Sequence, residues 1–237
     1  MASSSSPSST SVVSPLPSNW SELPQELMSS ILVRLGAVEI LENAQKVCKA
    51  WQRVCKDPWM WRKIDMRILV PHASREMCHN LVDRSKGGLV EINIGDFGSD
   101  SLLTYIAYRS SNLRSLSLKL RFQMTKVGLK KAVAKLPLLE ELEVSETWSR
   151  LDMKAIGHSC PKLKTLKLNC SNFFHSLVEG NDVDALAIAE SMPELCHLQL
   201  IANTLTDTGL NAILEKCPHL EYLDLRCCRN IKLLGDL

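Results

Sequence analysis

A chain of 237 residues with 28 basic and 26 acidic side chains carries a formal charge of only +2, which excludes a general nucleic-acid or membrane-surface field. Hydrophobic residues at 45% supply enough apolar material for one or two packed domains, and no run approaches the roughly 18 apolar residues a membrane helix needs. Nine cysteines, an odd number with no secretory signal legible ahead of them, point to a reducing nuclear and/or cytoplasmic compartment.

Residues 1–18 are mostly Ser, Thr and Pro, and Val12, Val13 and Leu16 bury too little to offset backbone entropy, so a disordered tail is expected. Order should begin at Trp20, with Ser21 as a cap and Pro24 in the first turn of a helix. Leu27, Ile31 and Leu35 recur every four residues, flanked by Met28 and Leu32, and make one apolar helical face that Gly36 ends. A second periodic run holds Ile40, Ala44, Val47, Cys48, Trp51 and Val54 until Asp57-Pro58 breaks it; Trp59, Met60 and Trp61 open the next element. So many tryptophans exceed what a small helical cluster buries alone, so some aromatic surface should meet the downstream domain or a partner.

Taken together, Leu23-Pro24-Gln25-Glu26-Leu27, Ile31-Leu32, Leu35, Val47-Cys48-Lys49-Ala50-Trp51 and Pro58-Trp59-Met60-Trp61 resemble an F-box over residues 19–64. One departure is Glu39-Ile40-Leu41-Glu42, where many family members have an aspartate-leucine pair. F-boxes are helical modules that dock onto the Skp-family adaptor of cullin-based SCF ubiquitin ligases. The resemblance therefore implies adaptor contacts at Leu23, Pro24, Leu27, Ile31 and Leu32. Val47, Trp51 and Trp61 would combine the module's core with the edge of that contact.

Residues 65–88 form a bridging segment whose Met77, Leu81 and Val82 predict a short amphipathic helix over the edge of the first repeat, joined by Trp61 or Ile64. From residue 89 to 237 the pattern L-x-x-L-x-L repeats, at Leu113/Leu116/Leu118, Leu163/Leu166/Leu168, Leu195/Leu198/Leu200 and Leu220/Leu223/Leu225. Leu89/Ile92/Ile94 and Leu139/Leu142/Val144 are variants of it. Pro137, Pro161, Pro193 and Pro218 each stand two positions before a motif, at the end of an amphipathic run, and send a helix into a strand. In the last run Leu210, Ile213, Leu214 and Cys217 read as one buried stripe.

Each unit is a strand plus a helix that cannot bury its apolar face alone, so stacking gives a continuous core. The segment Asn172 to Asp182 holds the extra length of one enlarged unit, a loop with Phe173, Phe174 and His175. No full capping helix is legible after Ile231, Leu233 and Leu234, so partner coverage or a frayed edge is expected there.

These units resemble the cysteine-containing leucine-rich repeats of plant-like F-box proteins. The expected fold is α/β: a helical F-box followed by a short right-handed solenoid of strand-helix units. Residues between the buried strand leucines face the other way. They give a concave partner surface with Lys119, Glu143, Lys167, His197, Gln199, Ile201, Tyr222, Asp224 and Arg226 as substrate-face candidates. Tyr222, His197 and Ile201 gain most from desolvation.

No catalytic chemistry is expected. Cys217 is phased into a helix core while Cys227 and Cys228 point oppositely, so with His219 they do not converge on a metal. No P-loop, G-x-S-x-G or H-E-x-x-H motif occurs, and no cofactor is implied. The family resemblance implies the substrate-recognition subunit of an SCF-type ligase, with a Skp-family adaptor, through it cullin and RING subunits, and a protein substrate as partners. The alternative is a repeat scaffold acting outside a ligase.

Overall fold

The computed structural model describes residues 23–67, 75–120, 123–147, 150–170 and 180–232. The Ser/Pro-rich tail, Trp20, Ser21, the loop aromatics Phe173, Phe174 and His175, and the terminal Leu233 and Leu234 lie outside these residues.

The chain enters helix α1 (Gln25–Leu32) through Pro24, which stands just ahead of the first turn, its carbonyl accepting from the Met28 N–H at 3.0 Å. A 3₁₀ turn (Val33–Leu35) carries the chain to Gly36. Helix α2 (Ala37–Glu39) continues through a π-helical turn (Ile40–Ala44) into α3 (Gln45–Val47). The second periodic run is not one helix. Cys48 is extended, at φ −158° and ψ 169°, and separates α3 from α4 (Lys49–Val54). Asp57 then caps a 3₁₀ turn (Pro58–Trp61) by accepting from the Trp59 N–H, with Pro58 in the first position where its missing N–H is harmless.

Beyond this turn the chain builds a seven-stranded sheet whose strands pair in chain order: β1 (Lys63–Asp65), β2 (Glu91–Ile94), β3 (Ser115–Lys119), β4 (Glu141–Thr147), β5 (Thr165–Cys170), β6 (His197–Ile201) and β7 (Tyr222–Asp224). Every adjacent pair is parallel. The intervening helices are α5 (Arg75–Arg84), α6 (Asp100–Arg109), α7 (Lys126–Val133), α8 (Met153–Ser159), α9 (Val183–Ser191) and α10 (Asp207–Lys216). None among the described residues is long and apolar enough to cross a membrane.

The repeat pattern maps directly onto the core. Leucine-pattern positions in the five units starting at Leu89, Leu113, Leu139, Leu163 and Leu195 are all buried, whereas Leu220, Leu223 and Leu225 of the last unit are only half-buried. Before three of the prolines, Cys160, Met192 and Cys217 each close their helix with an N–H to a carbonyl four residues back, yet have ψ between 56° and 74°. Proline disfavours helical geometry in its predecessor, and the three share one non-helical exit. In α10 the burial stripe is narrower than its periodicity suggested. Leu210, Ile213 and Cys217 are buried, but Leu214 is on the outer face at 43% exposure.

The sheet begins one unit earlier than the leucine pattern does. Ile64 pairs with Ile92, which places Trp61, Ile64 and Met66 in register with Leu89, Ile92 and Ile94. All three are buried. The backbone agrees: Arg62 O accepts from the N–H groups of Val90 and Glu91, as Val90 O does from Arg114 and Ser115 and as Arg114 O does from Glu140 and Glu141. Trp61 is thus both the end of the helical module and the first large residue of the solenoid. The two parts share one continuous core.

Neighbouring units are also clamped along the helix N-termini. Asp100 accepts from the backbone N–H and hydroxyl of Thr125, the N-cap of α7, each at 2.7 Å; Asp182 does the same for Thr206, the N-cap of α10, at the same distances. Gly128 and Gly209 stand three residues after these threonines, and a Cβ on either would collide with the clamping carboxylate. Helix propensity alone favours Ala over Gly by about 1 kcal/mol, whereas crowding such a contact costs about 1–3 kcal/mol. We expect Gly128→Ala to lower stability in urea unfolding, and the penalty to vanish or reverse sign when Asp100→Ala is present as well. The cysteines give a second expectation. Burial pushes the thiols of Cys78 and Cys160 up to about 12, whereas Cys227 is exposed. In native protein at neutral pH, a thiol reagent should label Cys227 rapidly and leave Cys78 and Cys160 unmodified until urea is added, as mass spectrometry of the digested protein would show.

Candidate functional site

Two surfaces stand out, one on the helical module and one on the sheet. Helix α1 has apolar residues on two faces rather than one. Met28 and Leu32 are turned into the core, Leu32 with no exposure. Leu27, Ile31 and Leu35, also spaced by four, remain 54%, 38% and 45% exposed. Three outward aliphatic side chains, two on a helix already anchored by its other face and one on the 3₁₀ turn that follows it, are a partner-sized feature, not scattered surface. Pro24 is exposed beside its start, and Leu23 is packed against the core. On α3, Val47 is 62% exposed, and Trp51 on α4 is half-buried against the core.

The expected adaptor set therefore divides. Leu27, Ile31, Pro24 and Val47 present surface, whereas Leu32 and Trp61 are wholly buried and can act only by holding the surface in place. Trp61 donates its indole N–H to Cys55 O at 3.0 Å, and the Arg84 guanidinium lies 5.1 Å from its ring centre. Leu35 belongs with the exposed row, and its spacing of eight from Leu27 is the signal for it.

The second surface is the sheet face opposite the leucines. Register sets Lys63, Glu91, Ser115, Glu141, Thr165, His197 and Tyr222 in one row across the strands. Asp65, Asn93, Ser117, Glu143, Lys167, Gln199 and Asp224 form the next. Several candidates there are already engaged. Lys119 reaches Glu146 at 3.2 Å and Asp96 at 3.3 Å, and Gln199 donates to Asn169 at 2.7 Å. Asp224 is buried under a bidentate Arg226 guanidinium, so the two act as a closed pair rather than as separate recognition groups.

Lys167 meets Glu141 at 2.6 Å, and Ser115 donates to the same carboxylate at 3.1 Å. Desolvation would raise the Glu141 carboxyl, but the Lys167 bond and charge outweigh it and hold the group below its ordinary range. His197, Tyr222 and Glu143 are less committed. Tyr222 is 50% exposed and His197 lies beside it, ring centres 6.1 Å apart. Together with Lys167, Leu198 and Gln199 they line a shallow cavity of about 230 Å³. Ile201 is half-buried one row further on.

No cluster of His, Cys, Asp or Glu among the described residues has the arrangement to hold a metal ion. The sulfurs considered for one make packing contacts: Cys217 donates to Met192 O and Cys228 to Leu200 O.

Similarity to known proteins spans both the module and the sheet. An F-box-like family model matches residues 20–67. F-box protein SKIP19 of Arabidopsis thaliana is 57% identical across the whole of this chain, which covers 78% of SKIP19. F-box/LRR-repeat protein 21 of the same plant is 56% identical over 92% of this chain and 77% of its own length. F-box/LRR-repeat protein 23 is 57% identical over the whole chain, which spans 55% of that longer protein. Among solved structures, the complex of yeast Rad7 and Elc1 contains a chain of similar fold, with a TM-score of 0.51 at 18% identity over 87% of this chain and 63% of that one. With relatives this similar running through both the helical module and the sheet, the chain belongs to the F-box/leucine-rich-repeat family, a family of non-catalytic proteins.

Proposed function

We propose that the chain is the substrate-recognition subunit of an SCF-type ubiquitin ligase. Its helical module would bind a Skp-family adaptor, and through it cullin and RING subunits, while the concave sheet face holds a protein substrate. The observation that carries this reading is the outward row Leu27, Ile31 and Leu35 on and just after a helix whose opposite face is locked into the core. Such a row gains by burial roughly 25 cal/mol per Å² of apolar surface, and it is presented on a rigid support that loses little entropy on docking.

In this role the chain makes and breaks no bonds. It raises the effective concentration of substrate lysines near a charged conjugating enzyme held elsewhere in the assembly. That requires a fixed distance between adaptor and substrate, and the core shared through Trp61 supplies it.

Replacing Leu27, Ile31 and Leu35 together by alanine should weaken capture of a purified Skp-family adaptor by about a hundredfold. Urea unfolding of the same variant should shift by less per residue than a core truncation does, since these side chains are about half exposed. Leu32→Ala should do the reverse, costing about 2–5 kcal/mol of stability through cavity formation. Undiminished adaptor capture by the folded triple variant would defeat the proposal.

A further inference from the structure

Resting on the substrate-receptor reading, we propose that the concave face selects an extended partner segment with a basic side chain for Glu143 and, about four residues away, an aromatic side chain for the cavity beside Tyr222.

The cavity indicates the size of its guest. At about 230 Å³ it falls below the roughly 300–1,000 Å³ of small-molecule pockets and suits a single side chain. Its walls are the rings of Tyr222 and His197, inclined at 31°, with Leu198 also lining it. The exposed edges and faces of two such rings offer a further aromatic ring the offset or edge-on contacts that aromatic pairs prefer. Lys167 also lines it, but its charge is already offset by Glu141 at 2.6 Å, which weakens its pull on an acidic guest.

Charge indicates the second residue. On the strand positions of this face, carboxylates outnumber the lysines Lys63, Lys119 and Lys167, and each of those lysines has its own acid within 3.3 Å. Glu143 is different. It is half-buried in register between Ser117 and Lys167, and no hydrogen bond or ion pair to another described residue holds it; Arg67 is the described charge that feels its field. A partly desolvated carboxylate without a direct partner favours an incoming cation.

Spacing fixes the pattern. Glu143 lies on β4 in the row of Gln199, and the cavity centres on β6 beside His197. That is two strands (about 9.5 Å) across and two residues (about 6.6 Å) along, a diagonal of about 12 Å. A segment in β conformation returns to the same side every second residue and covers about 13 Å in four. An extended segment crossing the strands on that diagonal therefore meets both features with residues about four apart.

The test uses the full chain bound to its adaptor and fluorescent Ser/Pro peptides carrying one Phe and one Arg at varied separations and in both orders. Anisotropy should show the tightest binding at a separation of four. Glu143→Gln should weaken that binding by about fivefold and Tyr222→Ala by about thirtyfold, with adaptor binding unchanged in both. Glu143→Lys should transfer the preference to peptides with Glu in place of Arg, a gain that misfolding cannot produce. Equal binding of Arg and Glu peptides by the unaltered chain, or indifference to both Glu143 variants, would overturn the inference while leaving the receptor reading intact. Loss of adaptor binding by the unaltered chain would instead remove the reading on which it rests.

Discussion

The indole of Trp61 has two sets of demands to satisfy at once. As the last aromatic of the helical module it must close a small cluster of helices, and it does so by donating to Cys55 O at 3.0 Å. As the residue three before Ile64 it must also fill the place that leucine takes in every later unit. No aliphatic side chain could do both, because burial without the N–H bond would leave the Cys55 carbonyl with one acceptor interaction fewer in a fully buried site. Arg84 adds a third tie. Its guanidinium lies over the Trp61 ring while donating to Gln45 of the module at 3.0 Å, so α5 is fastened to both sides of the junction.

That junction makes the rest of the architecture mechanically meaningful. A parallel sheet of short strands is quasi-one-dimensional, each unit stabilised chiefly by its neighbours. Here the neighbour of the first strand is the helical module itself, which gives the solenoid a cap at one end. The aspartate clamps at Thr125 and Thr206 repeat the same kind of tie further along, joining one unit to the next where helix N-termini would otherwise present unsatisfied N–H groups.

Much of this is legible from residue patterns. The leucine positions from Leu89 to Leu200 are buried as their spacing implies, and α5 buries Leu81 and Val82 as the bridging segment requires. The strand at Lys63–Asp65 is hidden in the pattern because its unit begins with Trp61 and ends with Met66, neither of them a leucine. The two faces of α1 merge into one in the sequence because Leu27, Met28, Ile31, Leu32 and Leu35 are all apolar, and periodicity cannot say which of two adjacent rows meets the core. On the sheet, alternation identifies the outward residues. It cannot show that Asp224 and Arg226 close on each other, that Lys167 is engaged by Glu141, or that Glu143 is left over, since those depend on which neighbours register brings side by side.

A core shared between module and solenoid requires the two to be one folding unit. Hydrogen exchange by mass spectrometry across a urea series reads this directly, with peptides from α1 reporting on the module and peptides from β2 and β3 reporting on the sheet. A shared core predicts that both lose protection at the same denaturant concentration, and that Trp61→Ala moves both to lower urea together. Separate midpoints in the unaltered chain, or a Trp61→Ala variant that loosens α1 while β2 and β3 keep their midpoint, would contradict it.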